Sequence, residues 1–323
     1  MATIQRTTQK VFYYARNVIR DVAPQAIFRR RLAGRLEQAR LSDEAVRQRL
    51  NDYNKLHDTF SPSPDAVRID SLPSTRSMYY YDLKEFARYF DAGLRLDLEF
   101  GDVIEVPKVP SFVKDRPIQA DNDNAVLMKF NKFRHFYMPV DTVAFADKLP
   151  AVVWRGDLNN PLRTRFLDAV RDLPFCDAGS HKPNAPAKYS KPFLSIGQHL
   201  RYRYIVSLEG NDVATNLKWI MNSNSLCLMP PPTYETWFRE SQLEANVHYV
   251  PLDPDFADLA EKVSYFERHP AAAERIVLAA NAHCRKFSNQ RDEQAISLLV
   301  LYKYFVLSGQ IEPYPELWRF IGG

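Results

Sequence analysis

The sequence predicts an α/β protein whose second half is built on a parallel sheet. Three observations carry that expectation. From about residue 148 onward, short apolar segments rich in β-branched and aromatic residues alternate with helix-patterned ones. Glycine is scarce, 10 in 323 residues, yet Gly156 and Gly210 stand where two of those strands end. The chain is also long enough for about two domains of ~100–200 residues each, with 46% hydrophobic and 25% charged residues, a balance that excludes disorder and fibrous repeats.

The first 40 residues carry nine basic side chains (Arg6, Lys10, Arg16, Arg20, Arg29, Arg30, Arg31, Arg35 and Arg40) against Asp21 and Glu37, while the remainder of the chain is net negative. Val11, Phe12, Tyr13, Val18 and Ile19 lie among these charges, with Ile27, Phe28 and Leu32 beyond Pro24. Two readings stand open for residues 1–40. One is contact with an anionic membrane surface, worth ~1 kcal/mol per Lys or Arg. The other is a solvated helix face whose apolar side packs on the body. Nucleic acid is not expected as a partner, since no nucleic-acid-binding motif follows. No stretch approaches the ~20 apolar residues of a membrane span, and polar Gln5, Thr7, Thr8 and Gln9 interrupt any secretory-type apolar run. The expected location is therefore the cytoplasm. Cys176, Cys227 and Cys284 lack metal-ligand spacing and read as reduced thiols.

Residues 41–147 are mixed. A polar helical stretch, Ser42 to Leu56, leads to a Ser/Pro loop (Ser61, Pro62, Ser63, Pro64), then a helix around Tyr81 to Phe90. A strand from Leu94 to Phe100 ends at Gly101-Asp102, and a proline-rich run follows through Pro107, Pro110 and Pro117. The order of elements here yields no topology.

Residues 148–290 are clearer. A buried strand, Ala151 to Trp154, turns at Arg155-Gly156-Asp157 into a helix from Pro161 to Arg171. A second strand, Tyr202 to Leu208, turns at Glu209-Gly210-Asn211-Asp212 into a helix from about Val213. Further strands are expected at Ser225–Met229 and Val247–Val250. Helices are expected at Tyr234–Leu243, from Asp255 onward, and over the C-terminal 291–323. Strands alternating with helices imply right-handed crossovers, and such sheets bind ligands beyond the carboxyl ends of their strands.

The candidate binding residues sit at those ends. Arg155 follows a buried strand and is placed to fork onto a diphosphate, or to form a surface ion pair. Arg163 and Arg165 on the next helix, with Lys191, His199, Arg201 and Arg203, add positive charge suited to a polyanion. Asn211 or Asp212 is placed to cap the helix carrying Asn216 and Lys218, whose amino terminus would attract phosphate. Asp102 and Asp115 are candidates for the carboxylate that takes a hydroxyl proton, although loop aspartates more often cap turns. Asp121-Asn122-Asp123 and Asp253-Pro254-Asp255 match the unspecific D-x-D pattern, and Asp255 reads as the cap of a helix beginning at Phe256.

The run from Lys148 to about Tyr304 resembles glycosyltransferase family 90. The matching pieces are Trp154-Arg155-Gly156, Arg201-Tyr202-Arg203-Tyr204, Leu208-Glu209-Gly210-Asn211-Asp212 and Asn216-Leu217-Lys218-Trp219. Ser225-Leu226-Cys227-Leu228, Glu235-Thr236-Trp237-Phe238 and His248-Tyr249-Val250-Pro251-Leu252 complete the set. Upstream, Phe100-Gly101-Asp102, Val109 to Lys114 and Asn131 to His135 look like its bacterial lipopolysaccharide branch. The resemblance implies a GT-B fold, two Rossmann-like domains facing a cleft, with C-terminal helices packing back. It implies an acceptor-side domain over 41–147 and a nucleotide-sugar domain over 148–290.

It further implies inverting transfer, without metal or other cofactor, from a nucleotide-sugar donor, a UDP-linked hexose or xylose, to a lipid-linked or lipopolysaccharide or capsule glycan. By the same resemblance Arg155 and Lys218 would face the diphosphate. The turn at Gly210 to Val213 and the segment at Glu235 would line the nucleoside or sugar. Asn216 stands where the eukaryotic members usually carry arginine, and their Asp-aromatic-Pro base motif is absent. Asp102 is then the first substitute for the base, Asp115 the second and Glu105 the third. The alternative from another class is a non-catalytic sugar- or nucleotide-binding scaffold of envelope glycan assembly.

Overall fold

The computed structural model describes residues 2–40 and 44–322, so Ser42 of the first expected loop-to-helix stretch lies outside the described residues, as do the side chains of Arg6 and Arg40. The chain divides into two compact units, residues 1–133 with 288–323, and residues 134–287.

The first unit opens with helices α1 (Ala2–Val22), α2 (Gln25–Arg29), α3 (Leu32–Arg40) and α4 (Glu44–Tyr53). Strand β1 (Val67–Arg68) precedes α5 (Ser77–Ala87), which begins four residues before the expected Tyr81. Strands β2 (Arg95–Glu99), β3 (Ser111–Val113), β4 (Asp115–Pro117) and β5 (Ala125–Leu127) follow. Strands β1, β2, β3 and β5 build a four-stranded sheet of order β1-β2-β3-β5. Its β2-β3 and β3-β5 pairs are parallel, with Leu98 opposite Phe112 and Phe112 opposite Val126. Strand β2 answers the strand expected over Leu94–Phe100, whereas strands of two or three residues are too short to leave a period-2 pattern in the sequence, which is why the rest of this sheet could not be read.

The second unit begins at Arg134, within α6 (Lys132–His135). Its sheet is laid down by β6 (Leu149–Arg155), β7 (Cys176–Gly179), β8 (Tyr202–Val206), β9 (Leu226–Met229) and, beyond β10 (Tyr234–Thr236), by β11 (Val250–Pro251). The order is β11-β9-β8-β6-β7 with every pair parallel. The helices are α7 (Pro161–Val170), α8 (Ile196–His199), α9 (Leu217–Met221), α10 (Leu259–Arg268) and α11 (Pro270–Arg285). Asn160 caps α7 by accepting from the Leu162 amide at 2.8 Å, with Pro161 in the first helical position, the expected start signal. Val152, Trp154, Phe166, Leu228, Leu259 and Ile276 belong to one buried cluster between sheet and helices.

Four sequence expectations are corrected in this unit. The helix expected over Tyr234–Leu243 is strand β10 followed by a single 3-10 turn at Glu240–Gln242. Arg239 sits at φ +58, outside helical geometry, and Glu240 folds back to accept from the Thr236 amide at 2.6 Å. The helix expected from Val213 starts only at Leu217. The last strand is confined to Val250–Pro251, because Asn246 at φ +62 turns the chain just before it. Asp255 does not cap a helix at Phe256. That residue has φ +61, and α10 begins at Leu259.

The chain then returns to the first unit through α12 (Gln290–Leu307) and α13 (Pro315–Phe320). Buried residues run round almost the whole of α12, as a helix at the centre of a unit requires. Its Tyr304 ring lies 4.6 Å from that of Phe112 on β3, and its hydroxyl donates to the Pro110 carbonyl at 3.1 Å.

Candidate functional site

In the second unit the sheet reverses direction at one place. The chain passes from β6 outward to β7, then returns to lay β8 on the other side of β6, and continues through β9 to β11. The loops leaving β6 and β8 therefore part in opposite directions and open a crevice at their carboxyl ends, the usual ligand position in open parallel sheets. Those loops are Arg155-Gly156-Asp157 and Leu208-Glu209-Gly210-Asn211-Asp212, the two the sequence singled out.

Arg163, on the first turn of α7, joins them. Its guanidinium donates to the carbonyls of Asp157, Leu208 and Glu209, each at 3.0 Å, and to the Asn159 side chain at 2.9 Å. Asn160 adds a bond to the Gly210 carbonyl. A Cβ on Gly210 would stand 2.9 Å from the Arg163 guanidinium, and one on Gly156 would stand 2.4 Å from the Trp154 ring. A side chain at Gly156 would therefore have to displace the Trp154 ring, and one at Gly210 the end of the Arg163 side chain. Burial lowers the Arg163 pKa from its ordinary value, but the charge stays bound to backbone oxygens.

Arg155 has carboxylate and carbonyl partners of its own. Its Nη2 donates to both carboxylate oxygens of Asp177 on β7 at 2.9 Å, and the rest of the guanidinium donates to the carbonyls of Asp177 and Pro192. Burial raises the Asp177 carboxyl, and the Arg155 bonds with the Tyr202 hydroxyl and Lys191 outweigh it, leaving a net fall below the ordinary range. Arg203 pairs with Glu267 at 2.6 Å and with the Ala146 carbonyl.

Lys218 lies with no exposed surface, 2.6 Å from the equally buried Glu240. Asn216 starts α9 and ties back to β8, accepting from Ser207 and donating to the Val206 carbonyl. Neither Asn211 nor Asp212 caps α9. Asp212 is buried and its carbonyl accepts from the Gly210 amide at 2.9 Å, while Asn211 is exposed and accepts from Asn159 at 3.4 Å. Glu235 is buried and accepts from the Ser241 hydroxyl.

The structure therefore brings Gly156, Arg163, Gly210 and Asn211 together at one crevice. It sets Arg203 on a separate ion pair and buries Lys218. Sequence reasoning passed over Glu209 as an actor. Its carboxylate accepts from the Thr233 hydroxyl and from the amides of Thr233 and Tyr234, clasping the loop after β9 to the loop after β8. Burial raises its pKa against those bonds. It also missed Asp177, Asn160 and Glu240. The Asn-Pro pair at 160–161 was a legible helix start, whereas Asp177 sits on a four-residue edge strand without β-branched residues. Half-exposed Lys182 pairs with Asp157 on the loop after β6 at 3.4 Å.

A cavity of about 560 Å³ lies at the other end of the sheet, before β11, lined by residues such as Asn246, Val250, Tyr265 and Arg275. Close by the Lys218 pair, His283 on α11 is buried against Phe238 and Phe287, and its Nε2 donates to the Phe238 carbonyl at 2.9 Å. Burial pushes its imidazole down to about 4 from 6.5. The unfolded chain takes that proton near 6.5 and the folded one only near 4, so stability present above pH 6.5 is lost as pH falls through that window, by up to ~1.4 kcal/mol per pH unit. Thermal unfolding of wild type and His283→Asn from pH 7 to 4 checks this: the variant should show a shallower loss, and equal slopes would remove His283 as the cause.

In the first unit, Asp102 is half-exposed and accepts from Lys114 Nζ at 2.8 Å. Asp115 has no exposed surface, lies 3.6 Å from the same ammonium and accepts from the Val103 amide at 3.5 Å. Of the two D-x-D sequences, Asp253 and Asp255 serve turns: the Asp253 amide bonds Asp258, and Asp255 accepts from the Ala257 amide.

Comparison with known proteins adds to this geometry. The family model described as glycosyl transferase family 90 matches residues 131–304, a span that contains all of the second unit's sheet. The chain is 44% identical over 308 residues to O-glucosyltransferase LpsA of Dichelobacter nodosus, covering 94% of this chain and 97% of that protein. It is also 27% identical over 92 residues to protein O-glucosyltransferase 2 of Danio rerio, covering 28% of this chain and 18% of that protein.

Proposed function

This chain belongs to glycosyl transferase family 90 and is a glycosyltransferase, and on that premise we propose that it moves a glucosyl residue from a UDP-sugar onto a hydroxyl of a lipopolysaccharide or capsule glycan. Glucose takes precedence over other hexoses and xylose because the relative at 44% identity is an O-glucosyltransferase. The family match carries the reading, because its span holds the whole parallel sheet and the crevice where β6 and β8 part. The proposed overall arrangement is GT-B, supported by the two α/β units, each with parallel strands. The proposed location of the reaction is the cytoplasmic side, where nucleotide sugars are available.

The donor diphosphate is proposed to lie at the crevice, against the loops after β6 and β8. The amino terminus of α7, with its positive dipole end, and half-exposed Lys182 favour an anion there. Arg163, Asn160 and Glu209 act as positioning residues that hold the loops. Arg155 and Lys218 enter this reading as structural cations, since Asp177 and Glu240 neutralise them. Transfer is proposed as a direct displacement with inversion and no metal. A carboxylate takes the acceptor hydroxyl proton, the oxygen bonds to the anomeric carbon, and the bond from that carbon to the diphosphate breaks. Asp102 is the proposed base, since its carboxylate is half-exposed where Asp115 is enclosed.

A thermal-shift screen of the purified protein against UDP-glucose, UDP-xylose, GDP-mannose and a CMP-sugar, with and without magnesium, tests the donor. Ligand at ~100 times its dissociation constant adds ~2.7 kcal/mol of stability. A shift with UDP-glucose that magnesium leaves unchanged is the expected result. A shift only with another nucleotide, or only with magnesium, would overturn the donor assignment.

A further inference from the structure

Helix α1 is built inside out. Tyr13, Tyr14, Arg20 and Asp21 turn toward the body. Tyr13 donates to Asp82 at 2.7 Å, Tyr14 bonds Ser77 at 3.0 Å, Arg20 pairs with Glu85 at 2.7 Å, and Arg88 pairs with Asp21 at 3.1 Å, all on α5 or directly after it. The opposite face is apolar and faces solvent. Val11, Ala15, Val18, Ile19 and Val22 follow the i, i+4, i+7, i+8, i+11 spacing of a single helical stripe, with Phe12 at its margin. Phe12 is 74% exposed, Ile19 71% and Val22 81%. A helix docked through its polar face has no intramolecular use for such a stripe, and contiguous exposed apolar surface marks an interaction site.

Charge selects the occupant. Lys10, Arg16, Arg30, Arg31 and Arg35 are exposed within the same 40 residues. Among the described residues Arg16 has only Glu85 at 3.8 Å, and no ion pair engages the other four. A second copy of the chain meeting this face symmetrically would bring like charges together, whereas an anionic lipid surface is complementary to them. No described helix is long and apolar enough to cross a membrane, and α1 itself carries Lys10, Arg16, Arg20 and Asp21.

We propose that α1 is an interfacial anchor that lays the Val11–Ile19 stripe into the headgroup region of an anionic phospholipid bilayer, held by the flanking basic residues. The anchor would keep the enzyme at the surface that carries its lipid-linked acceptor, but it rests on the geometry of α1 alone and not on the donor reading.

Flotation of the full-length protein with phosphatidylcholine vesicles, and with vesicles rich in phosphatidylglycerol, tests it. Wild type is expected to float with the anionic vesicles at low salt and less at high salt. The Phe12→Glu/Ile19→Glu variant should lose binding by about tenfold or more, with unchanged circular dichroism and thermal unfolding because both side chains are exposed. Phe12→Trp should show a blue-shifted emission on anionic vesicles. Failure of wild type to float, equal flotation of the double variant, or binding without a blue shift would overturn the proposal. So would light scattering that shows a dimer split by the double substitution.

Discussion

Glu240→Ala is expected to destabilise the second unit by ~3–5 kcal/mol, the usual cost of removing one partner from a buried ion pair. Lys218 and Glu240 face each other at 2.6 Å with no exposed surface on either side chain. Glu240 also accepts from the amide and hydroxyl of Thr236, and so sets the turn after β10. Removing the carboxylate leaves an ammonium enclosed between the rings of Phe136 and Phe238, with no water to solvate it. Urea unfolding checks the value. The Lys218→Met/Glu240→Leu double variant should recover most of the loss, since a well-packed apolar pair often replaces a buried ionic one without penalty. A single variant within about 1 kcal/mol of wild type would show that the pair is not structural, and would return Lys218 to consideration as a donor contact.

Asp102→Asn is expected to lower kcat by ~10²–10⁴-fold, the range for loss of a general base, with little change in melting temperature. Its carboxylate is half-exposed, and an amide oxygen still accepts from Lys114. Asp115→Asn should behave in the opposite way, lowering stability more than turnover, because that carboxylate is enclosed beside Lys114. Steady-state transfer kinetics with thermal melts of both variants separate the two. Full turnover in Asp102→Asn would move the base elsewhere, with exposed Glu105 the next carboxylate to test.

The parallel sheet of the second unit was legible because Val152, Val153, Ile205, Val206, Leu226 and Leu228 form compact apolar strands, each bounded by a turn. Edge strand β7 was not, since Cys-Asp-Ala-Gly has neither alternation nor β-branched bulk. Local pattern failed again at Tyr234–Leu243, where a helix-compatible composition yields to left-handed Arg239 and to the tertiary pair that holds Glu240 on buried Lys218.

Taken by itself, the sequence determined the strand-turn-helix units that carry Gly156 and Gly210, the family, and the unusual basic and apolar content of residues 1–40. Tertiary structure alone decided which partners the charges meet. Arg155 and Lys218 each meet a carboxylate 22 positions away, Asp177 and Glu240, and Arg163 spends its donors on carbonyls of two loops. It alone decided which face of α1 is turned outward. A charged side chain's role depends on whether a partner and low solvent exposure meet it in space, and neither is written in the spacing of a single chain.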